Sequence, residues 1–253
     1  MKIKIILRFI LFVNFFTYGQ EKNIYILYNK SDLLTSYNEE LIASKDSALF
    51  WNEVQVKTDG SNQMTDDGNG NFNLIDENYH IFKNEISLNK SNTINIRIFD
   101  PNNFRDVTDI LPDFNWKIFD NETKKIGQYE CIKATCNFRG TNIIAYFTLE
   151  IPIPFGPWKF KDLPGLILEI NVEDAFLNIK WVAEKIIYPY EKKQNLESNI
   201  PTVRISMREE VKNLEKTLNE ISEQSKSRDS ETITTIVSEI TRIDIEKIYE
   251  WEE

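Results

Sequence analysis

The sequence predicts a mainly β fold: a curved or partly closed antiparallel sheet of about ten strands, with one or two C-terminal helices packed against it. Two patterns support this prediction. Apolar and polar residues alternate through much of residues 23–188, as they do in strands that bury one face. After residue 206 the apolar residues recur every three or four positions, which is the spacing of an amphipathic helix.

The first residues of the chain are typical of a signal peptide. Basic residues precede or interrupt an apolar run over residues 5–16, and small residues stand three and one positions before a cut after Gly19. The run is too short for a membrane-spanning helix, which needs about 20 apolar residues. We therefore predict that residues 1–19 are cleaved and that residues 20–253 form a single β-rich domain with a helical segment at 206–240. The mature protein should be periplasmic or otherwise exported, and soluble.

The composition is acidic. The formal net charge is −10, and loss of the three cations of residues 1–19 makes it −13. Binding to nucleic acid or to anionic lipid headgroups depends on Lys and Arg releasing counterions from phosphates, so neither is an expected partner. The mature chain is also not expected to be an integral membrane protein.

The predicted strands follow one another along the chain, separated by Asn, Asp, Gly and Pro. Residues 100–103 are a predicted turn. Residues 59–73 are rich in Asp, Asn and Gly, and we predict a surface loop rather than a calcium loop because the EF-hand spacing is absent. The predicted strands cover residues 23–28, 40–44, 48–51, 80–88, 92–99, 114–119, 126–138, 143–151, 166–170, 176–188 and 243–251.

The predicted strand at residues 126–138 contains both cysteines. Strict alternation puts Ala134, Cys136 and Phe138 on one face and Cys131 on the other. In an extended strand the two cysteines lie about 16 Å apart, whereas a disulfide needs a Cα separation of roughly 5.5 Å. We favour two unpaired thiols; a bulge between them is the alternative that would permit a bridge.

A helix is predicted to begin at Ser206, because Ser206-Met207-Arg208-Glu209 matches a capping box. The residues of its apolar stripe should cover the sheet. Residues 231–240 fit either a second short helix or a strand, because their apolar residues are β-branched. The stripe consists of Met207, Val211, Leu214, Leu218 and Ile221.

The most distinctive stretch is residues 152–170, which holds four of the eight prolines and two of the eight glycines. Proline interrupts sheet pairing, and residues 163–166 fit a type II turn with glycine at its third position. We interpret the stretch mainly as a folding feature, whose structural motif is Gly156, Pro157, Pro164 and Gly165. The candidates for contact with a ligand or partner are Phe155, Trp158, Lys159, Asp162 and Leu163.

Several short motifs occur together in this chain. They include Phe138-Arg139-Gly140, Gly156-Pro157-Trp158, Leu163-Pro164-Gly165-Leu166-Ile167 and Glu246-Lys247-Ile248-Tyr249. This combination resembles the GLPGLI family of exported bacterial proteins, which is named for a hexapeptide, and the resemblance extends over most of residues 20–253. Asp162 stands where that hexapeptide begins with glycine. The resemblance implies an envelope location and a mainly β fold, and it brings no catalytic residue.

The sequence contains no recognisable catalytic or metal-binding motif. His80 is the only histidine, which excludes a histidine-rich metal site. A G-x-S-x-G motif, a phosphate loop and a dinucleotide fingerprint are all absent. We therefore predict no metal, no cofactor and no catalytic residue. The 40 acidic residues leave a carboxylate pair for sugar hydrolysis open.

These observations favour a non-enzymatic cell-envelope protein that binds an apolar ligand or an outer-membrane partner, with residues 152–164 at the rim of the site. One alternative is an accessory subunit of an outer-membrane transport complex that binds no small ligand. A carboxylate-based hydrolase is the third hypothesis, so enzyme activity stays an open question.

Overall fold

Strands dominate the computed structural model of this chain, as predicted. The structure describes residues 22–57, 64–66, 72–74, 79–100, 103–174, 177–191, 204–226 and 245–252. The predicted signal peptide and residues 231–240 lie outside these ranges. The elements are β1 (Asn23–Ser31), β2 (Ser36–Ala43), β3 (Ser47–Lys57), β4 (Met64–Asp66), β5 (Phe72–Leu74), β6 (Tyr79–Asn89), β7 (Thr93–Asp100), β8 (Asn103–Ile110), β9 (Lys117–Ile126), β10 (Tyr129–Phe138), β11 (Thr141–Thr148), β12 (Leu166–Glu173), β13 (Lys180–Tyr190), β14 (Arg204–Ser206) and α1 (Met207–Lys226).

Twelve of the described strands form one sheet. Its order from edge to edge is β14-β8-β7-β6-β3-β2-β1-β13-β12-β11-β10-β9, and β4 and β5 form a separate two-stranded ribbon. Neighbouring strands are antiparallel except β14 and β8, which are parallel. The predicted fold class is confirmed, with the difference that the sheet is mixed at this one edge.

The sheet is curved but not closed. β8 and β9 are ten positions apart in the strand order, so a flat sheet would separate them by about 48 Å. Residues 111–116 connect them directly, and a chain of that length reaches about 25 Å at most. The sheet must therefore curl until its two ends approach each other. Within the described residues, β9 and β14 do not pair with each other.

The inner face of the curled sheet carries a contiguous apolar core. In β1 the alternate residues Ile24, Ile26 and Tyr28 are fully buried. They pack in one cluster with residues from both halves of the sheet and from the segment that connects β11 to β12. The Tyr28 hydroxyl donates a hydrogen bond of 2.6 Å to the carbonyl oxygen of Ile167, so this phenol is satisfied inside the core.

A register shift in β10 changes the predicted position of one cysteine. The shift lies between Ile132 and Lys133, and both Cys131 and Cys136 belong to the buried core. The prediction that Cys131 lies on the opposite face is therefore wrong, because it assumed strict alternation through a bulge. Both thiols are free. Burial raises the pKa of Cys131 to about 11 and that of Cys136 to about 12, so both stay protonated at neutral pH.

The helix α1 begins with the predicted capping box. The backbone N–H of Glu209 donates to Ser206 Oγ at 3.2 Å, and the backbone N–H of Ser206 donates to Glu209 Oε2 at 2.9 Å. The helix packs against β8 and β14 at one edge of the sheet. Met207 and Val211 contact the core, whereas Leu214 is exposed. The first part of the predicted apolar stripe thus covers the sheet and Leu214 does not.

Two strand predictions near residues 100–119 are corrected by the structure. β8 is absent from the prediction because aspartates occupy its buried positions. Of these, Asp106 accepts two hydrogen bonds of 2.9 and 3.0 Å from Arg97 on the neighbouring strand. β9 begins at Lys117 rather than at residue 114, because Phe114 belongs to the connection and stacks on Phe138 with ring centroids 5.0 Å apart.

The predicted last strand is also wrong. Residues 245–252 form no strand, and the backbone N–H groups of Lys247 and Ile248 both donate to the carbonyl oxygen of Arg139 instead of to a neighbouring strand. The predicted loop at 59–73 contains the short strands β4 and β5, and its other residues lie outside the described ranges.

Candidate functional site: a buried charge cluster beside an apolar cleft

The connection between β11 and β12 is held by its own backbone hydrogen bonds. The N–H of Gly156 donates to the carbonyl oxygen of Phe160 at 2.9 Å, and the N–H of Asp162 donates to that of Pro154 at 3.0 Å. The N–H of Ile167 in β12 donates to Phe155 O at 3.1 Å. The prolines interrupt regular sheet pairing as predicted, and the segment folds against the core instead.

The structure places the five predicted contact residues in different environments. Phe155, Lys159 and Leu163 are buried, Trp158 is half-buried and Asp162 is exposed. Trp158 lies inside an aromatic group, with its ring centroid 5.3 Å from that of Phe160 and 6.4 Å from that of Trp181. Most of this set therefore faces the interior of the protein, and contact with a ligand or partner through Trp158 or Asp162 stays a prediction.

The two glycines of the segment are required by close packing. A Cβ on Gly165 would lie 2.0 Å from the carbonyl oxygen of Thr148, and one on Gly156 would lie 2.7 Å from the Cβ of Ile167. Gly165 does not have a positive φ, so the predicted type II turn is wrong at this residue. Asp162 has a φ of 71°, a conformation that glycine adopts most easily, at the position where the GLPGLI hexapeptide begins with glycine.

Lys159 is part of a cluster of buried charges. Its ammonium group donates to Asp109 Oδ2 at 2.9 Å and to both carboxylate oxygens of Glu246 at 2.7 Å. Arg139 completes the set, which we call the charge cluster: Asp109, Arg139, Lys159 and Glu246. These residues come from β8, the β10–β11 turn, the β11–β12 connection and the C-terminal segment, so the cluster joins four parts of the chain.

Arg139 has the largest number of partners in the charge cluster. Its Nη1 and Nη2 atoms each donate to one oxygen of Asp109 at 2.9 Å, and Nη1 also donates to Glu246. Its Nε and Nη2 atoms hold the two oxygens of Glu250 at 3.0 and 3.1 Å. Nη2 further donates to the carbonyl oxygen of Ile110 at 3.0 Å. Arg139 therefore connects the end of β8 to the C-terminal segment.

Their partners keep Asp109 and Arg139 ionised. Burial by itself would raise the pKa of Asp109, but the Lys159 ammonium and the Arg139 guanidinium lower it below its usual range. The carboxylates of Asp109 and Glu250 raise the pKa of Arg139 against the opposing effect of burial. Two cations thus face two carboxylates within the cluster. Such an arrangement tolerates burial only while every member keeps its partners.

An apolar cleft lies directly beside the charge cluster. Its volume is about 540 Å³, and one wall is the end of β8 with the residues that follow it. The opposite walls are the start of α1 and the C-terminal segment. We call it the Ile110 cleft. Its apolar lining is Ile110, Leu111, Pro112, Met207 and Trp251, and its polar edge is Thr108, Asp109, Ser206, Arg208 and Glu250.

A smaller and more polar pocket of about 350 Å³ lies beside Asp162 and Leu163. Its other lining residues come from the connection at 111–116 and from Ile118. The Asp162 carboxylate is 3.0 Å from the ammonium of the buried Lys161. Two of the predicted contact residues thus line this pocket rather than the Ile110 cleft.

Of the residues that position the Ile110 cleft, sequence reasoning named only Lys159. Arg139 and Glu246 fall within the motifs that resemble the GLPGLI family, and Glu250 directly follows the second of these motifs. Asp109 carries no such signal, because it sits in a strand that was not predicted. Among the described residues, no three His, Cys, Asp or Glu side chains are arranged to hold a metal ion.

No helix in the described part of the chain is both long and apolar enough to cross a membrane.

Comparisons with known proteins identify one family match. Residues 138–169 match a family described as a protein of unknown function (Porph_ging). No curated protein matches this chain. Two solved structures of PNGF-II, in C2 and P21 space groups, are similar at 16% sequence identity, with TM-scores of 0.49 and 0.48. The similarity covers 74% of this chain and 31 to 32% of PNGF-II, so this chain spans less than a third of that protein.

Proposed function

We propose that this chain is a non-enzymatic protein of the bacterial cell envelope that binds an apolar small molecule in the Ile110 cleft. The supporting observation is the cleft itself, which is concave, about 540 Å³ in volume and lined by apolar side chains with polar groups at its edge. Sites for small molecules in proteins have this size and character. Ile110 is 68% exposed, and a ligand that covers it removes apolar surface from water.

The walls of the Ile110 cleft are held in place by hydrogen bonds and ion pairs within the protein. Arg139 binds Asp109 on one wall and Glu250 on the other, and Lys159 donates a second contact to Asp109 at 2.9 Å. A site formed in advance loses less conformational entropy when it binds. Residues 152–164, which the sequence placed at the rim, contribute to the proposed site through Lys159 and not by direct contact.

The carboxylates beside the cleft support binding rather than hydrolysis. A carboxylate-based glycosidase needs one carboxylic acid with a raised pKa to protonate the leaving group. The pKa of Asp109 is lowered, and both of its oxygens accept hydrogen bonds from cations. Both oxygens of Glu250 are bound to Arg139. These carboxylates serve as anchors for the cleft.

The proposal also includes that the protein is exported and that it is related to the GLPGLI family. The charge and hydropathy pattern of residues 1–19 supports export. The matched region, residues 138–169, contains three of the motifs on which the resemblance to the GLPGLI family rests: Phe138-Arg139-Gly140, Gly156-Pro157-Trp158 and Leu163-Pro164-Gly165-Leu166-Ile167. This overlap supports a relationship between the GLPGLI family and this chain.

A fluorescent apolar probe tests the proposal. We expect mature protein to bind N-phenyl-1-naphthylamine saturably, and Ile110→Glu to weaken binding at least about tenfold, because a carboxylate would be buried by the probe. Ile81→Glu is the matched control, since Ile81 is 57% exposed and does not line the cleft. Equal affinity of wild type and Ile110→Glu, or equal loss in both variants, would contradict the proposal.

A further inference from the structure

We infer that the ligand of the Ile110 cleft is a single-chain anionic amphiphile, with its apolar chain in the cleft and its head group at Arg208. One bound molecule needs one local cation, whereas the anionic lipid surface that the acidic composition disfavours needs several. This inference rests on the proposed function, because it assigns a ligand class to the same cleft. A volume of about 540 Å³ lies in the lower half of the range for small-molecule sites, which suits one acyl chain better than two.

Arg208 presents a positive charge at the edge of the cleft. It lines the cleft, its side chain is exposed, and no ion pair within the described residues involves it. The two acidic residues that follow it are engaged elsewhere. Glu209 accepts from Ser206 in the capping box, and Glu210 lies 3.3 Å from the guanidinium of Arg105. The charge of Arg208 is therefore available to a ligand.

The negative charges at the cleft edge are already bound. Asp109 accepts hydrogen bonds from Arg139 and Lys159, and both oxygens of Glu250 accept from Arg139. A cationic head group would have to compete with a buried guanidinium for these carboxylates. An anionic head group meets the Arg208 guanidinium, which has no ion-pair partner in the part of the chain that the structure describes, and guanidinium binds carboxylate with charge-assisted hydrogen bonds.

Three amphiphiles with the same chain length separate these cases. Dodecanoate and dodecyltrimethylammonium, each below its micelle concentration, and dodecanol, below its solubility limit, compete with N-phenyl-1-naphthylamine for wild-type protein. We expect dodecanoate to bind at least about fivefold more tightly than the other two, and we expect this preference to fall as salt is added. Arg208→Gln should weaken dodecanoate more than dodecanol and so remove the preference.

Arg204→Gln is the matched control, because Arg204 is an exposed arginine of β14 that does not line the cleft. It should keep the preference for dodecanoate. Three results would overturn the assignment of an anionic ligand: equal binding of all three compounds, tighter binding of the ammonium compound, or an equal effect of Arg204→Gln and Arg208→Gln. Each of them leaves the proposed function standing. Failure of all three compounds and of the probe overturns both.

Discussion

At the scale of single residues, Gly165 is a position where an added methyl group would clash with the backbone of a neighbouring segment. A Cβ there would lie 2.0 Å from the carbonyl oxygen of Thr148, an atom that belongs to β11 and cannot move alone. We expect Gly165→Ala to lower the free energy of unfolding by about 3 kcal/mol. Gly127→Ala has only an unfavourable φ of 59° and no atom within 4 Å, so we expect about 1 kcal/mol. Urea denaturation measures both, and equal losses would contradict the steric argument.

The pKa values of two buried glutamates are shifted in opposite directions. Glu39 and Glu169 are each 4% exposed. Burial raises the pKa of Glu39, and Lys30 and the indole N–H of Trp181 oppose this effect only in part. Burial also acts on Glu169, but the Lys124 ammonium at 2.6 Å, Asn171 and Lys180 bring its pKa below the usual value. The donors beside Glu169 outweigh the effect of burial, whereas the donors beside Glu39 do not.

This contrast predicts opposite pH dependences for two glutamine variants. The raised pKa of Glu39 contributes stability that is present at low pH and is lost as pH rises through the folded-state pKa. Glu39→Gln should therefore gain stability relative to wild type between about pH 4 and pH 7. The lowered pKa of Glu169 contributes stability above the unfolded-state pKa, so Glu169→Gln should lose stability at pH 7 and lose less as pH falls. Urea midpoints across this range test both signs, and parallel curves would refute the prediction.

At the scale of elements, the capping box of α1 affects both the helix and the cleft, because Met207 and Arg208 lie in its first turn. We expect Ser206→Ala to cost about 1 kcal/mol of stability, since the N–H of Glu209 loses its acceptor. It should also weaken binding of the apolar probe. Thr217→Ala is the control: its hydroxyl bonds the carbonyl of Asn213 within the same helix, so the change should stay within about 0.5 kcal/mol. A similar loss of stability in both variants would contradict the claim that the capping box stabilises α1.

The elements that were predicted correctly are those whose pattern is local. β1 and β7 alternate because one face of each is buried, and the capping box of α1 uses residues three positions apart. β8 was missed because its buried aspartates have partners on other segments. The last strand was predicted from alternation, but Glu246 binds a lysine 87 positions away and an arginine 107 positions away. Pairs at such distances depend on the whole fold, and for the same reason the Ile110 cleft has no local sequence signal.

At the scale of the whole molecule, the contacts of Arg139 join the two ends of the curled sheet. The end of β8, the β10–β11 turn and the C-terminal segment all meet at Arg139, which bonds to the first through Ile110 and to the last through Glu246 and Glu250. Strand pairing does not join β9 to β14 in the described part of the chain. Side-chain charge and packing therefore hold the curl where backbone hydrogen bonds do not.

This arrangement predicts that Lys159→Met destabilises the full chain but stabilises a chain that lacks the C-terminal segment. Deleting residues 245–253 leaves two buried cations, Arg139 and Lys159, against Asp109 alone, and we expect the free energy of unfolding to fall by at least about 3 kcal/mol. In the truncated chain Lys159→Met should restore part of the loss, because it removes the uncompensated charge. In the full chain the same substitution should destabilise, because it takes a partner from Asp109 and Glu246. A double-mutant cycle on urea unfolding free energies measures this coupling. If Lys159→Met has the same effect in both chains, the C-terminal segment acts through the packing of Ile245 and Trp251 and not through its charge.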